Sequence, residues 1–341
     1  MARIIVVSFR LGGTDGVAIE SAKWISALEA LGHRVRTVAG EGEADVLLPS
    51  LAINAGTPNS VGELDHALGE ADVVIVENLV SLPLNLDARD ALYQVLDGRR
   101  AVFHHHDLPW QRPHLKHLEA PRTNPLWHHV TISGLSRREL AERGIEAVTI
   151  MNSFDCEPPR GNRDLTRRAL DVGTRTLVVM PSRALPRKNV GGALTMCEGL
   201  DAMFWLLGPA EDGYESALEE LIQSSNVEVR RGLPDGVDIH DAYAASDLVV
   251  MPSTWEGFGN PVLESVTHRR PLALYPYPVA CEIIDYGFRF FELGETAAIR
   301  SFLDEPDYEL LALNLSIARE HFNVASLPAR LSHLLESFGV K

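Results

Sequence analysis

The stretch Leu248-Val-Val-Met-Pro-Ser-Thr-Trp-Glu-Gly-Phe-Gly-Asn-Pro-Val-Leu-Glu264 decides the fold class. It opens on a short, continuous apolar run, the pattern of a strand buried on both faces in a parallel sheet. Gly257 and Gly259 then interrupt regular structure, and Asn260-Pro261 reads as an N-cap followed by the first helical residue. A single helix through Trp255 to Glu264 would set its two glutamates about 80° apart, but the glycines and the proline exclude one. Glu256 therefore belongs to a loop and Glu264 to the first turn of a helix. Strand, glycine loop and helix in this order form the unit of an α/β fold, whose ligands meet the carboxyl ends of the strands.

The same unit recurs outward in both directions. Strand candidates run Ile4 to Phe9, Val35 to Ala39, Val46 to Leu51, Val73 to Glu77, Ala101 to His105, Val130 to Ser133 and Val148 to Met151. Between the first two, Ala18, Ala22, Ile25, Leu28 and Leu31 make one helical stripe that Gly32 ends. Glu157-Pro-Pro-Arg-Gly-Asn162 breaks the pattern, and a second series follows at Leu177 to Met180, Phe204 to Leu207, Val227 to Arg230, Leu248 to Met251 and Leu272 to Tyr275. Leu311 to Phe338 reads as helical with no strand after it. With 341 residues and 45% hydrophobic composition the chain exceeds one core. The expected organisation is two Rossmann-like domains, residues 1–157 and 161–315, facing a central cleft, with residues 316–341 as a closing helix.

A net charge of -16 argues against a nucleic-acid binder, whose affinity comes from neutralising phosphates. The N-terminus reads as a first strand rather than a signal peptide, and no apolar run approaches the roughly 20 residues that span a bilayer. Cys156, Cys197 and Cys281 are widely spaced and odd in number, as in reduced cytoplasmic proteins.

Three motifs carry chemistry. Leu11-Gly12-Gly13-Thr14-Asp15-Gly16 joins the first strand to its helix, where glycines let backbone approach a phosphate or serve a tight turn; the spacing is not that of a nicotinamide fingerprint. Met180-Pro-Ser-Arg183-Ala-Leu-Pro-Arg-Lys188-Asn189 releases Arg183 and Lys188 at a strand end, as cations for a phosphate. In the opening stretch, the amides of Val262 and Leu263 at the helix start make an anion site. Two carboxylates beside a diphosphate are better aimed at hydroxyls, so the layout suits ribose, diphosphate and hexose.

Together these residues resemble the donor site of retaining glycosyltransferases of the GT-B fold, family 4 group, whose signature is a glutamate pair with seven residues between, as in Glu256-Gly-Phe-Gly-Asn-Pro-Val-Leu-Glu264. Gly12-Gly13, Phe103 to Asp107 and Ile150-Met-Asn-Ser-Phe-Asp155 match other segments of that family in order. The resemblance implies that Arg183 and Lys188 hold the diphosphate and Glu264 the ribose. It gives Glu256, with the backbone of Gly257, Phe258, Gly259 and Asn260, to the donor sugar, and has His106 face that sugar. It also implies that the first domain binds the acceptor, the second the donor, and that the last helix packs back on the first. Departures from the family pattern are Ser153, Ser182, Asn260, Thr267-His-Arg-Arg270 and Tyr275-Pro-Tyr-Pro278.

His104-His105-His106-Asp107 places only His104 and His106 on one strand face, and the sequence shows no further ligand for a metal. The expectation is no metal and no cofactor, the nucleoside-diphosphate sugar being a co-substrate and a hydroxyl compound the acceptor. Seven histidines between His104 and His129, with Arg112, Lys116 and Arg122, suggest an anionic acceptor or a solvated helical face. Rival readings are a GT-B-fold nucleotide-sugar epimerase, a non-catalytic nucleotide-sugar sensor and a nicotinamide dehydrogenase.

Overall fold

The computed structural model describes every residue except Thr14, Thr57, Asn59, Pro83 and Lys341. The chain forms two compact units, Met1–Ser153 with Val324–Lys341, and Phe154–Asn323.

The first unit holds strands β1 (Arg3–Leu11), β2 (Arg34–Gly42), β3 (Val46–Leu47), β4 (Val73–Glu77), β5 (Ala101–His105), β6 (Trp127–Thr131) and β7 (Ala147–Thr149). They pair in parallel in the order β3-β2-β1-β4-β5-β6-β7. The chain starts in the middle, builds one side and then the other, so the order reverses beside β1 and β4. One face of the sheet packs through Val7, Val74, Val76 and Phe103 on Leu64, Leu68 and Leu92. The other packs through Ile4, Val6, Ile75 and Val102 on Trp24 and Leu28 of helix Gly16–Ala30, and on Leu327, Leu331 and Leu335 of the last helix.

The second unit repeats the plan with β8 (Leu177–Met180), β9 (Met203–Leu206), β10 (Val229–Arg231), β11 (Leu248–Met251), β12 (Leu272–Leu274) and β13 (Phe291–Glu292), parallel in the order β10-β9-β8-β11-β12-β13. Four residues each of β8 and β11 are fully buried, as their continuous apolar runs require.

The structure departs from the expectations at element ends. The run Val46 to Leu51 is strand for two residues only, because Pro49 opens a 3₁₀ turn. β6 begins at Trp127 rather than Val130, since His129 is buried by pairing with His105 and behaves as a strand residue. β13 was not anticipated. The final helical stretch is two helices, Tyr308–His321 in the second unit and Leu327–Glu336 in the first. Between them the Phe322 carbonyl accepts the amide of Phe154 at 2.7 Å, which ends helical pairing there and ties the chain's entry to the second unit to its exit.

Candidate active site

In the second unit the functional side chains are set by the loops that leave β8 and β11. After β8, Pro186–Lys188 forms a 3₁₀ turn, and Asn189 in the left-handed region caps helix Val190–Leu200 through the Gly192 amide. That turn lays Arg187 and Lys188 against the β11 loop, where the Thr254 amide donates to the Arg187 carbonyl at 2.8 Å. Lys188 Nζ is 2.5 Å from Glu256 Oε1, and Arg187 Nη1 donates to Glu256 Oε2 at 2.8 Å and to the Trp255 carbonyl at 3.0 Å. Lys188 and Glu256 are both buried. Burial pushes the Glu256 carboxyl up, but the charges of Lys188 and Arg187 outweigh it and hold the group below the usual carboxylate range. Burial pushes Lys188 down, and Glu256 offsets only part of that.

The sequence-predicted cations therefore separate. Lys188 joins Glu256, whereas the half-exposed Arg183 pairs with Glu211 at 2.6 Å. Arg187, which the sequence reading passed over, takes the second place on Glu256. Its signal was the proline that starts the turn and fixes the direction of the next two side chains.

The glycine loop corrects two readings. Helix Asn260–Thr267 is capped by Gly259 at φ 92, not by Asn260, and Pro261 is its second residue. The Val262 amide donates to the Gly259 carbonyl at 2.9 Å, so the first turn consumes an amide that was expected to meet an anion. Gly259 also has a packing reason beyond ligand access: a Cβ there would lie 1.9 Å from the Tyr277 hydroxyl, which donates to the Phe258 carbonyl at 2.8 Å. Tyr275-Pro-Tyr-Pro278, unusual beside the family pattern, thus props the loop from below. Phe258 is buried, its ring stacked on Phe154 and edge-on to Phe322.

Glu264, in the helix that follows, accepts the hydroxyl of the fully buried Tyr243 at 2.7 Å. His268 stacks on Tyr243 and shares hydrogen bonds with the Glu264 carbonyl at 2.7 Å and His240 at 2.9 Å. Within Thr267-His-Arg-Arg270, Thr267 and His268 accordingly buttress Glu264, while Arg269 and Arg270 turn to Glu157 and the Ser246 carbonyl. Burial holds His268 at about 4, hence neutral at pH 7.

In the first unit, Asp15 caps helix Gly16–Ala30 by accepting the Val17 and Ala18 amides at 3.1 Å, and Arg10 pairs with it at 2.9 Å. The chain thus supplies its own anion at that helix start. Gly12 has φ 74, and a Cβ there would meet that of Glu43 at 2.6 Å; Gly13 lies beside Asp15, while Thr14 is outside the described residues.

At the ends of β4 and β5 the structure adds a residue that the sequence reading did not weigh. Glu77 Oε2 receives His104 Nδ1 at 2.9 Å and His106 Nε2 at 2.8 Å, all three side chains being buried. Burial pushes the Glu77 carboxyl up, but His104 and His106 overcome it and bring it to about 2. The ligand atoms of the three lie within 4.8 Å of one another, a set that can hold a metal with Glu77 as the third ligand the sequence reading lacked; here both histidines bond to Glu77.

The expected basic patch does not form around its histidines. Of the seven, His104, His105, His106 and His129 are buried, and burial holds His105 and His129 neutral. Arg112 pairs with Asp107 at 2.7 Å, Arg122 lies over the Tyr93 ring near Asp90, and Lys116 is exposed.

Residues 162–305 match the family described as Glycosyl transferases group 1. Along most of its length the chain is similar to two mannosylglucosylglycerate synthases. That of Thermotoga maritima is 26% identical over 91% of this chain and 89% of its own, and that of Petrotoga mobilis 25% identical over 86% of each. The structure superposes on Anabaena HepE, solved in complex with UDP-glucose, with a TM-score of 0.75 and 17% identity over 98% of this chain and 99% of HepE. The second unit thus contains the stretch that matches the group 1 glycosyltransferase family, and the chain has the fold of GT-B glycosyltransferases.

Proposed function

We propose that the protein moves a hexose from a nucleoside-diphosphate sugar to a hydroxyl of an anionic acceptor, with retention at the anomeric carbon and without a metal or other cofactor. The buried cluster of Lys188, Arg187 and Glu256 at the carboxyl ends of β8 and β11 carries this reading. A diphosphate arriving there draws the two cations toward its oxygens and leaves Glu256, with the backbone from Gly257 to Asn260, to accept the hydroxyls of the sugar. Arg183 exchanges Glu211 for phosphate, and Glu264, fixed by Tyr243, accepts the ribose hydroxyls. In this reading the second unit is the donor domain, the first the acceptor domain, and His106 faces the transferred sugar.

As the bond to the anomeric carbon breaks, charge grows on the departing phosphate, where Lys188, Arg187 and the N-terminal dipole of helix Asn260–Thr267 oppose it. The acceptor hydroxyl attacks from the same face and gives its proton to the phosphate oxygen, so Glu256 is not a nucleophile. The UDP-glucose complex of HepE supports the donor class. The glycerate in the relatives' name supports an acceptor bearing a carboxylate, for which Arg112, Lys116 and Arg122 are the candidate contacts. The free cysteines, and the absence among the described residues of a helix able to cross a membrane, support a cytoplasmic setting.

The test is release of free nucleotide from UDP-, GDP- and ADP-hexoses, with and without glycerate or glycosylglycerate as acceptor. Acceptor-dependent release is expected; equal turnover without acceptor would overturn the transferase reading in favour of an epimerase or hydrolase. Glu256→Ala should fold, bind nucleotide as the parent does and lose about 100-fold or more in kcat, and undiminished transfer would remove Glu256 from the sugar site.

A further inference from the structure

We propose that Glu77 is a positioning residue for His106, fixing both the plane of its ring and which nitrogen carries the proton. This deepens the reading that His106 meets the transferred sugar, and rests on it. Glu77 is the last residue of β4 and pairs in register with His104 of β5, so its side chain rises beside the histidine segment. One carboxylate oxygen, Oε2, takes both His104 Nδ1 and His106 Nε2, while Oε1 is buried with no hydrogen-bond partner among the described residues. An ionised carboxylate only accepts, so each imidazole must present an N–H to it. The neutral His106 ring is thereby protonated on Nε2, and its Nδ1, for which there is no hydrogen-bond partner among the described residues, is the acceptor it offers a hydroxyl.

The backbone next to Glu77 holds the same segment. Asn78 stands in the left-handed region at φ 60, where asparagine is tolerated and most other residues are strained. From that conformation its Oδ1 accepts the amides of His106 and Asp107, each at 3.1 Å, and the Ser81 hydroxyl at 3.0 Å, while its own amide donates to the His104 carbonyl at 2.9 Å. His104 completes the support: its ring stacks on Trp24 at 4.0 Å and contacts that of His106 at 4.3 Å. Two successive residues, Glu77 at the end of β4 and Asn78 just after it, thus fix the ring and the backbone of His106, which a purely space-filling histidine does not need.

The experiment combines side-chain ¹⁵N NMR of the full-length protein with a double-mutant cycle. In the parent, His106 is expected to show a protonated Nε2 and an unprotonated Nδ1; the opposite tautomer, or a metal ion bound stoichiometrically by these three residues in the purified protein, would overturn the proposal. Glu77→Gln is expected to mix the tautomers and lower kcat about 10- to 100-fold while UDP binding stays unchanged. On a His106→Ala background the same substitution should cost less than about twofold, because its effect runs through the ring. Independent, multiplying effects would show a structural role instead and sink the idea. Should Glu77→Gln fail to fold, Glu77→Asp and the parent spectrum decide. A His106→Ala enzyme with full kcat would refute the sugar-facing reading of His106, and the tautomer measurement would still judge Glu77.

Discussion

His129 shows how a titratable side chain can serve as core. Its Nδ1 lies 2.9 Å from His105 Nε2, the rings stack, and neither residue has appreciable exposure. One facing nitrogen must be unprotonated to accept from the other ring's N–H, and burial keeps both rings neutral by holding His129 at about 4 and His105 well below its ordinary value. In the unfolded chain the same rings bind a proton near 6.5. The unfolded state therefore takes up more protons as pH falls, and stability that is complete above about 6.5 drains away toward about 4. Each such histidine should contribute a slope on the order of 1.4 kcal/mol per pH unit inside that window, with partly exposed His268 contributing less. Glu77, held at about 2, acts in the same direction, because it retains its charge in the fold after the unfolded chain has begun to protonate. Urea midpoints at pH 7.5, 6.0 and 5.0 should fall steadily, and constant midpoints would show that these rings are not buried neutral.

The glycine loop after β11 joins two elements through one backbone angle. Gly259 turns the chain at φ 92 into helix Asn260–Thr267, and Tyr277, just before the next helix, occupies the space a side chain would need. Gly259→Ala combines a strained φ with a clash, and is expected to displace the loop and abolish transfer. Tyr277→Phe removes only the hydroxyl, and should cost about 1–3 kcal/mol by leaving the Phe258 carbonyl without its donor. If calorimetry found Gly259→Ala as stable as Tyr277→Phe, and still active, the packing account of this glycine would be wrong.

What the sequence disclosed also divides by element. Buried strands such as Leu177–Met180 and Leu248–Met251 were legible to the residue, because parallel strands need unbroken apolar runs and four such residues admit one reading. Edges were not: β13 has two residues, and the first part of β6 includes His129, whose burial goes with a ring partner on another strand. Glu256, Glu264 and Lys188 stood out by spacing. The pairing of Lys188 with Glu256, the turning of Arg183 to Glu211 and the place of Arg187 are tertiary facts that spacing does not encode. Glu77 was visible as the end of a strand, and only the register of β4 with β5 shows what it holds.

For the whole chain the decisive feature is that the first unit is built from both ends of the sequence. Residues 1–153 supply all seven strands, yet one face of their sheet is covered by Leu327, Leu331, Leu334, Leu335, Phe338 and Val340. Arg330 secures the docked helix, donating to the Met151 carbonyl at 3.2 Å and to the Ser153 hydroxyl at 2.5 Å, so the serine found where the family pattern has glycine anchors the returning chain. Burying one such apolar side chain is worth about 1.5–3 kcal/mol, and six of them rival the 5–15 kcal/mol that is the whole stability of a typical domain. Leu331, 1% exposed against β-strand residues of the first sheet, is the sharpest probe. Leu331→Ala should lower the stability of the first unit by about 2–5 kcal/mol, and a chain ending at Asn323 should lose the protection of β1 and β4 in hydrogen exchange. An alanine variant within about 0.5 kcal/mol of the parent, a change typical of surface sites, would mean that the sheet keeps its core without the returning helix.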